Sequence, residues 1–284
     1  MTGKTYARTF GQDLMRGEHK VGGGGVSAPG HTSASASAMA LAGGFSDDQQ
    51  SGTSIFDPVL TELCYRWFCP PGGVIADPFA GGSVRGIVAG VLGFEYHGFE
   101  LRPEQVAANR EQATDLAPGF PIFWHEGDSR KTLTEWNGAA DFVFSCPPYG
   151  DLEVYSDDPA DLSTLDREGF VEGYRAIIAA SVAALKPDRF ACFVVGDYRD
   201  KRGFYTNFPG VTVAAFEDAG ARYYNEAILV TAAGSLPLRV GKQFSSSRKL
   251  GKTHQNILVF CKGDPKRATA NMAAAAPRLL DDAA

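Results

Sequence analysis

Short apolar runs alternate with helix-length segments along the middle of this 284-residue chain. The runs that predict buried strands are 74–77, 95–99, 121–124, 141–144 and 190–196, and the segments that predict helices are 84–92, 103–116 and 166–185. Such alternation is typical of right-handed βαβ units, which build a mostly parallel sheet covered by helices on both faces. Two later runs, 223–231 and 256–262, are expected to pair as antiparallel strands at an edge of the sheet.

The apolar run at 141–144 ends abruptly in Ser145, Cys146, Pro147, Pro148 and Tyr149. Two consecutive prolines cannot continue a sheet, because each lacks an N–H group and has a fixed φ. The strand is therefore expected to stop in a rigid corner that exposes carbonyl oxygens and carries a tyrosine ring. Such a corner can hold an amino group together with the flat heterocycle that bears it. A strand-terminating turn without any chemistry is the alternative.

A glycine-rich turn follows the first predicted strand and consists of Asp77, Pro78, Phe79, Ala80, Gly81, Gly82 and Ser83. Glycine lets the backbone approach a ligand closely, so a strand, a glycine turn and a helix often form a nucleotide site. The spacing is not the Gly-x-Gly-x-x-Gly of dinucleotide sites, and Asp77 would repel a pyrophosphate. An adenosyl ligand with a sulfonium and an α-amino group suits this acid better. Glu100, at the end of the second strand, is expected to accept the ribose hydroxyls. A structural turn beside a surface glutamate is the alternative.

The glycine turn, Glu100, Asp128 and the Pro-Pro-Tyr corner occur in an order that resembles the S-adenosylmethionine-dependent amino-methyltransferases of DNA. Those enzymes methylate adenine N6 or cytosine N4, and the resemblance covers about residues 55–263. It implies a Rossmann-like, doubly wound, mostly parallel α/β sheet with an antiparallel C-terminal edge, which is the class I methyltransferase fold. It also implies S-adenosylmethionine as cofactor and DNA as partner. The implied cofactor-binding residues are Phe56, Asp57, Asp77, Pro78, Phe79, Gly81, Gly82, Ser83, Glu100, Leu101, Asp128 and Ser129.

Phe56 and Asp57 precede a predicted helix that ends near residue 68, and in the family a helix here flanks the methionine end of the cofactor. A covering helix without such a role is the alternative. At the corner the chain departs from the family, which has Asp, Asn or Ser before Pro147, whereas this chain has Cys146. Either Cys146 or the preceding Ser145 is expected to receive the target amino group.

The chemistry of an aromatic amine explains why such a corner suits methyl transfer. Its lone pair is delocalised into the ring, so two acceptors on the N–H groups are needed to draw the nitrogen toward tetrahedral geometry. The Pro147 carbonyl is one acceptor, and the target base would be flipped out and stacked on Tyr149. Three alternatives stay open. They are a covalent cysteine mechanism as in cytosine C5-methyltransferases, methylation of RNA or protein glutamine, and a binding protein that has lost catalysis.

The net charge of −6 argues against a generally basic surface for nucleic acid, so DNA would have to meet a local patch. Residues 239–254 hold five Lys or Arg and no Asp or Glu, which predicts a mobile, serine-rich basic loop beside the catalytic edge. The expected phosphate contacts are Lys242, Arg248, Lys249, Lys252 and His254. The polar stretch 197–205 is a second candidate to face the substrate. A solvated charge run is the alternative.

The chain is expected to have three parts: a flexible Gly/Ser/Ala-rich arm at 1–54, a methyltransferase domain at 55–264 and a flexible tail at 265–284. Five cysteines without metal-ligand spacing predict reduced thiols in a cytoplasmic protein and no metal site. No signal peptide or membrane-length apolar run is present, so no membrane partner is expected. The oligomeric state is left open between a monomer and a homodimer.

Overall fold

A computed structural model describes residues 55–150, 155–231 and 236–273, so the predicted N-terminal arm lies outside the described residues. Seven strands form one sheet: β1 Val74–Asp77, β2 Glu95–Glu100, β3 Ile122–Glu126, β4 Ala140–Ser145, β5 Leu185–Val195, β6 Arg222–Val230 and β7 His254–Lys262. The α-helices of the described ranges are α1 Pro58–Phe68, α2 Val84–Val91, α3 Pro103–Leu116, α4 Ser129–Thr132, α5 Arg167–Ala184, α6 Phe208–Asp218, α7 Leu236–Ser247 and α8 Pro265–Ala273.

The strand order is β3-β2-β1-β4-β5-β7-β6. Neighbouring strands from β3 to β5 are parallel, whereas β7 runs antiparallel to both β5 and β6. The predicted doubly wound α/β sheet with an antiparallel C-terminal pair is therefore confirmed. The order of the strands reverses between β1 and β4, and ligands of such sheets bind at the carboxyl ends of the strands near that point.

Apolar clusters cover both faces of the central strands, as a parallel sheet requires, whereas the edge strand β6 is largely exposed. In β4, Phe142 and Phe144 belong to the cluster under α1 and α2, whereas Val143 points to the opposite face under α5 and α6. On that second face, the rings of Phe216 and Phe260 stack with their centroids 3.9 Å apart. No disulfide joins the five cysteines, and no helix of the described ranges combines the length and apolar character that crossing a bilayer demands.

The longer helices α6, α7 and α8 differ from the sequence-based expectations. Part of the predicted basic loop is helical, because α7 covers Leu236–Ser247 despite a glycine and three serines, which are weak helix formers. The helix α6 was not predicted. The predicted flexible tail starts with α8, which Asp264 caps by accepting the N–H of Arg267 at 2.9 Å. Ala268 on this helix is fully buried, so Pro265–Ala273 packs on the domain rather than forming a loose tail.

Asp141, at the amino end of β4, accepts three hydrogen bonds from other parts of the chain. The donors are the backbone N–H of Val74 at 3.2 Å, Lys186 at 2.8 Å and Arg189 at 3.0 Å. Burial raises the pKa of Asp141, but these hydrogen bonds and the lysine charge outweigh it, so the pKa lies below its ordinary value. The interaction joins β4 to β1 and β5 at the edge opposite the carboxyl ends.

We expect Asp141→Asn to lower the free energy of unfolding by about 1–2 kcal/mol at neutral pH, since charged hydrogen bonds are lost. A carboxylate with a depressed folded pKa stabilises above its unfolded pKa of about 3.9 and stops doing so as the pH falls through its folded pKa. The difference between variant and parent should therefore vanish in acid. Urea unfolding across pH measures it, with exposed Asp115→Asn as control. A constant difference at all pH values would contradict the ionic origin.

Candidate active site

Polar residues from four neighbouring strands lie at the carboxyl edge of the sheet. Asp77, Glu100 and Ser145 are the last residues of β1, β2 and β4, and Asp128 follows β3 by two positions. Hydrogen bonds link these ends directly: the Ser129 hydroxyl, for example, donates to the carbonyl of Pro78 at 2.7 Å. The convergence expected from the strand pattern is therefore present in the fold.

The glycine turn between β1 and α2 forms an open cradle. Gly81 has a φ of +54°, which favours glycine, and a Cβ added at Gly81 or Gly82 would meet no atom within 4 Å. The turn is held from both sides, because the Gly81 N–H donates to Glu100 at 3.0 Å and Asn109 donates to the Gly81 carbonyl at 2.7 Å. A ligand can thus approach this backbone closely.

Glu100 lies beside the cradle with 9% of its surface exposed. One carboxylate oxygen accepts the N–H of Gly81, and the other accepts the backbone N–H of Arg102 at 3.0 Å. Burial raises the pKa of Glu100 above its ordinary value, while the N–H and guanidinium groups of Arg102 and the N–H of Gly81 act in the opposite direction. The group is a buried acceptor next to open space, which suits neighbouring hydroxyl groups.

Asp77 does not face that open space. Its carboxylate is fully buried and accepts hydrogen bonds from Arg85 Nε, from the hydroxyl of Tyr96 at 2.8 Å and from the hydroxyl of Ser145 at 2.6 Å. The backbone N–H of Phe79 also donates to Asp77 at 3.3 Å, so this carboxylate links the glycine turn to the Pro-Pro-Tyr corner. That Asp77 meets the cationic end of a ligand stays a prediction.

Arg85 and Tyr96 belong to this network, and neither was identified from the sequence. Arg85 lies on α2 with 5% of its surface exposed, donates to the carbonyls of Phe79 and Ala80, and packs 4.7 Å from the ring centroid of Phe56. Burial alone would lower the pKa of Arg85, but the charge and hydrogen bond of Asp77 raise it, so the guanidinium stays ionised. The sequence does indicate a buried role for Arg85. It is the one charged residue in an otherwise apolar helix, and that helix follows an acid and a glycine turn.

The Pro-Pro-Tyr corner presents Cys146 rather than Ser145. Ser145 is fully buried, donates to Asp77 and accepts the N–H of Phe79 at 3.1 Å, whereas Cys146 is partly exposed. The Cys146 sulfur lies 4.0 Å from the hydroxyl oxygen of Tyr149. Of the two predicted acceptors for an amino group, the geometry thus favours Cys146, and Ser145 belongs to the buried network.

Tyr149 is held firmly at the corner. Its hydroxyl accepts a hydrogen bond from Gln255 at 2.7 Å, and its ring contacts Tyr198 and Phe208 edge-on, with centroids 6.3 and 5.9 Å away. Burial raises its pKa far above the ordinary value, so the phenol stays protonated. The next residue, Gly150, has a φ of +60° and no room for a Cβ beside the Tyr198 hydroxyl. That Tyr149 stacks on a base stays a prediction.

The remaining predicted cofactor residues have structural partners. Asp57 caps α1 by accepting the N–H of Val59 at 2.8 Å, and Asp128 caps α4 through the N–H of Arg130 at 2.9 Å. Ser83 contacts Gln112 beside the cradle, and Leu101 directly follows β2. Phe56 packs against the core and against Arg85. Direct contact of any of these residues with a ligand stays a prediction.

The five predicted basic contacts divide into two groups. Lys242, Arg248 and His254 are exposed on or after α7. Lys249 and Lys252 are half-buried, and the Lys252 ammonium lies 3.4 Å from the carbonyl oxygen of Asp197. Burial lowers the pKa of Lys252. Only this second group reaches the segment that follows β5, next to the corner.

Comparisons with known proteins agree with this architecture. A geranyl diphosphate methyltransferase solved in complex with GPP and sinefungin superposes with a TM-score of 0.50 at 13% identity, covering 72% of this chain and 78% of that one. TrmN from Thermus thermophilus gives 0.49 at 17% identity and covers 73% of this chain but 49% of that one. A TehB-like SAM-dependent methyltransferase from Corynebacterium glutamicum gives 0.44 at 15% identity, covering 92% and 100%. No family model and no curated protein matches the chain.

The strand order with its single reversed strand, the helices on both faces and the superposition at 0.50 define the fold. This chain has the Rossmann-like fold of the class I methyltransferases. Identities this low establish the fold alone, so the reaction and the substrate have to be argued from the site.

We expect Ser145→Ala to lower the free energy of unfolding by about 1–3 kcal/mol, because the buried Asp77 carboxylate loses a donor. Cys146→Ala should cost less, since Cys146 is partly exposed and makes no hydrogen bond to Asp77. Urea unfolding of both variants measures the difference. Ser181→Ala is the matched control, because its buried hydroxyl donates to the Ile177 carbonyl of its own helix at 2.7 Å. Equal stability of the Ser145 and Ser181 variants would contradict the network.

Proposed function

We propose that this chain is an S-adenosylmethionine-dependent methyltransferase that modifies an exocyclic amino group of a base in DNA. The observation that carries the proposal is the adjacency of two features at the switch point of the sheet. An open glycine cradle with a buried acid lies next to a rigid Pro-Pro-Tyr corner, and the hydrogen bond between Ser145 and Asp77 joins them. One feature suits an adenosyl cofactor, and the other suits a planar amine.

The residues present fit the cofactor. Gly81 and Gly82 leave the space that a Cβ would fill, and the Glu100 carboxylate is a buried acceptor for the ribose hydroxyls beside them. Asp128 and Leu101 follow the neighbouring strand ends, where the adenine would be held. S-adenosylmethionine, when bound, supplies an electrophilic methyl group on a sulfonium. The chain's part is to bind it, orient it and keep the buried Asp77–Arg85 pair intact beneath it.

The corner acts on the target amine. The carbonyl of Pro147 and the thiol of Cys146 accept its N–H groups, which draws the nitrogen lone pair out of the ring plane and aims it. Sulfur is a weaker hydrogen-bond acceptor than the oxygen of Asp, Asn or Ser. Alignment of the amine with the methyl group therefore contributes more to the rate in this chain. Rigidity supports this role: Tyr149 is fixed by Gln255, and the two prolines have restricted dihedral angles.

DNA is proposed as substrate because cations lie beside the corner in a protein that is acidic overall. Lys249 and Lys252 approach the segment after β5, and Arg248 precedes them on the surface. Measuring transfer of a labelled methyl group from S-adenosylmethionine to DNA, RNA and bulk protein tests the assignment. Label in N6-methyladenine or N4-methylcytosine supports it. Label in RNA or glutamine would show that the substrate is not DNA. The absence of label from all three would refute the proposed methyltransferase activity.

The cofactor assignment predicts a steric effect at Gly82. Its φ is not in the left-handed region and the space above it is open, so Gly82→Val should fold normally yet fill the cradle. We expect the affinity for S-adenosylmethionine to fall roughly tenfold or more, which is at least about 1.4 kcal/mol. Titration calorimetry measures it, with Gly241→Val on α7 as control, because a Cβ at Gly241 also meets open space.

The same titration, repeated at different pH values, tests the role of Glu100. Burial raises the pKa of Glu100 above its ordinary value of about 4.3, so affinity should fall as the pH is lowered through that raised pKa. Glu100→Gln should bind more weakly at neutral pH and lose this dependence. Unchanged affinity in both Gly82→Val and Glu100→Gln would refute the cofactor site.

Cys146 separates two mechanisms. If its sulfur only accepts a hydrogen bond, Cys146→Ser should keep or raise the rate, and Cys146→Ala should lose about 1 kcal/mol, a slowing of about five- to tenfold. A covalent mechanism predicts a nearly inactive Cys146→Ser, because a hydroxyl ionises far less readily than a thiol. Single-turnover rates with nucleoside mass spectrometry decide, and Tyr149→Ala should be impaired in either case. A folded but inactive Cys146→Ser enzyme would overturn the hydrogen-bond mechanism.

A further inference from the structure

The chain between β5 and α6 forms a small ordered hairpin that we call the 197–207 hairpin. Arg199 and Tyr205 form an antiparallel bridge, and the N–H of Asp200 donates to the Phe204 carbonyl at 2.8 Å. The turn closes through the Gly203 N–H, which donates to the Asp200 carbonyl at 2.9 Å, and Gly203 has a φ of +93°. The hairpin is therefore a fixed scaffold rather than an irregular loop.

Two aromatic rings project from this scaffold into solvent. Phe204 has 65% of its surface exposed and Tyr205 has 44%, although both rings would lower the free energy of the protein if buried. Each ring lies close to a guanidinium: Arg199 is 3.9 Å from the Tyr205 centroid and Arg202 is 5.5 Å from that of Phe204. Exposed rings paired with planar cations form a surface on which flat heterocycles stack.

The acidic side chains of the hairpin bond to the hairpin itself, whereas the basic side chains at its tip are exposed. Asp197 accepts the N–H of Phe208 and the hydroxyl of Thr206, both at 3.1 Å, and Asp200 accepts the N–H of Phe204 at 2.9 Å. These acids are thus occupied by the scaffold itself. Lys201 and Arg202 at the tip are exposed, with 81% of the Arg202 side chain accessible and its guanidinium 3.7 Å from Asp200.

The hairpin is continuous with the candidate active site. At its base, the Tyr198 ring contacts the ring of Tyr149, the last residue of the Pro-Pro-Tyr corner. From the other side, Lys252 reaches the Asp197 carbonyl, and Lys249 lies so close to Gly203 that a Cβ there would come within 2.9 Å of its ammonium. The exposed rings and cations of the 197–207 hairpin therefore lie on the same side of the molecule as the Pro-Pro-Tyr corner.

We propose that the 197–207 hairpin is a stacking platform for unpaired nucleotides that flank the methylated base, with Phe204 and Tyr205 as the stacking rings. This inference rests on the proposed function, since it names how that site holds its nucleic acid. Unpaired bases present both faces, whereas bases inside a duplex do not, so the platform selects single-stranded or opened DNA. The cations beside the rings contact the phosphates of the same strand.

Binding of a fluorescein-labelled single strand and of its duplex, followed by anisotropy over a range of KCl concentrations, tests the platform with the full chain. Phe204→Ala and Tyr205→Ala should each weaken single-strand binding about fivefold or more and leave the log–log salt slope unchanged. Phe204→Leu should be as weak as Phe204→Ala, because leucine is apolar but has no flat face, whereas Phe204→Trp should bind at least as well as the parent. Lys201→Ala and Arg202→Ala should instead reduce the slope.

Phe120→Ala is the matched control, because Phe120 is 43% exposed but precedes β3 at the opposite edge of the sheet. It should bind like the parent, and affinity for S-adenosylmethionine should be unchanged in every variant. If Phe204→Leu binds like the parent, or Phe204→Ala like Phe120→Ala, the platform is refuted while methyl transfer to DNA can still stand. If the parent neither binds nor methylates any nucleic acid, the proposed function fails and the platform fails with it.

Discussion

The carboxylate of Asp77 and the guanidinium of Arg85 lie side by side beneath the candidate site, both almost completely buried. Removing two charges from water costs several kcal/mol per ion, which mutual attraction offsets only when the remaining hydrogen-bonding groups are also satisfied. Here they are. Two hydroxyl groups donate to the acid, and the arginine donates to two carbonyls of the glycine turn. Removing either partner would leave an uncompensated charge and release the turn.

This ion pair makes the cradle and the corner one rigid unit. It joins the ends of β1 and β4 through Ser145, reaches β2 through Tyr96 and fixes the backbone that would lie under a cofactor. Under the proposed function such rigidity would matter, because transfer between two bound molecules depends on how precisely the reacting atoms are held. Asp77 and Ser145 are themselves buried in this network, whereas Cys146, the residue after Ser145, is partly exposed.

Other parts of the molecule are the candidates for substrate selection. Class I methyltransferases share one sheet and differ in what they methylate, so the fold does not identify the acceptor. In this chain the segments that differ most from a plain βα alternation are the 197–207 hairpin and α7 with the basic stretch behind it. Both lie on the C-terminal half of the sheet, beyond the rigid unit. Exposed segments on a rigid scaffold are where binding specificity commonly resides.

The sequence by itself determined the alternation of strands and helices, the glycine turn and the strand ends that carry Glu100 and Cys146, because hydrophobic periodicity and turn chemistry are local properties. It did not determine which polar group turns inward. Asp77 was expected to face a ligand, but its carboxylate is buried. It accepts hydrogen bonds from Arg85, Tyr96 and Ser145, which belong to three other elements. Gln255 holds Tyr149 across 106 residues of chain, which no local pattern encodes. Packing decides such partnerships, since only the folded sheet brings distant residues within hydrogen-bonding distance.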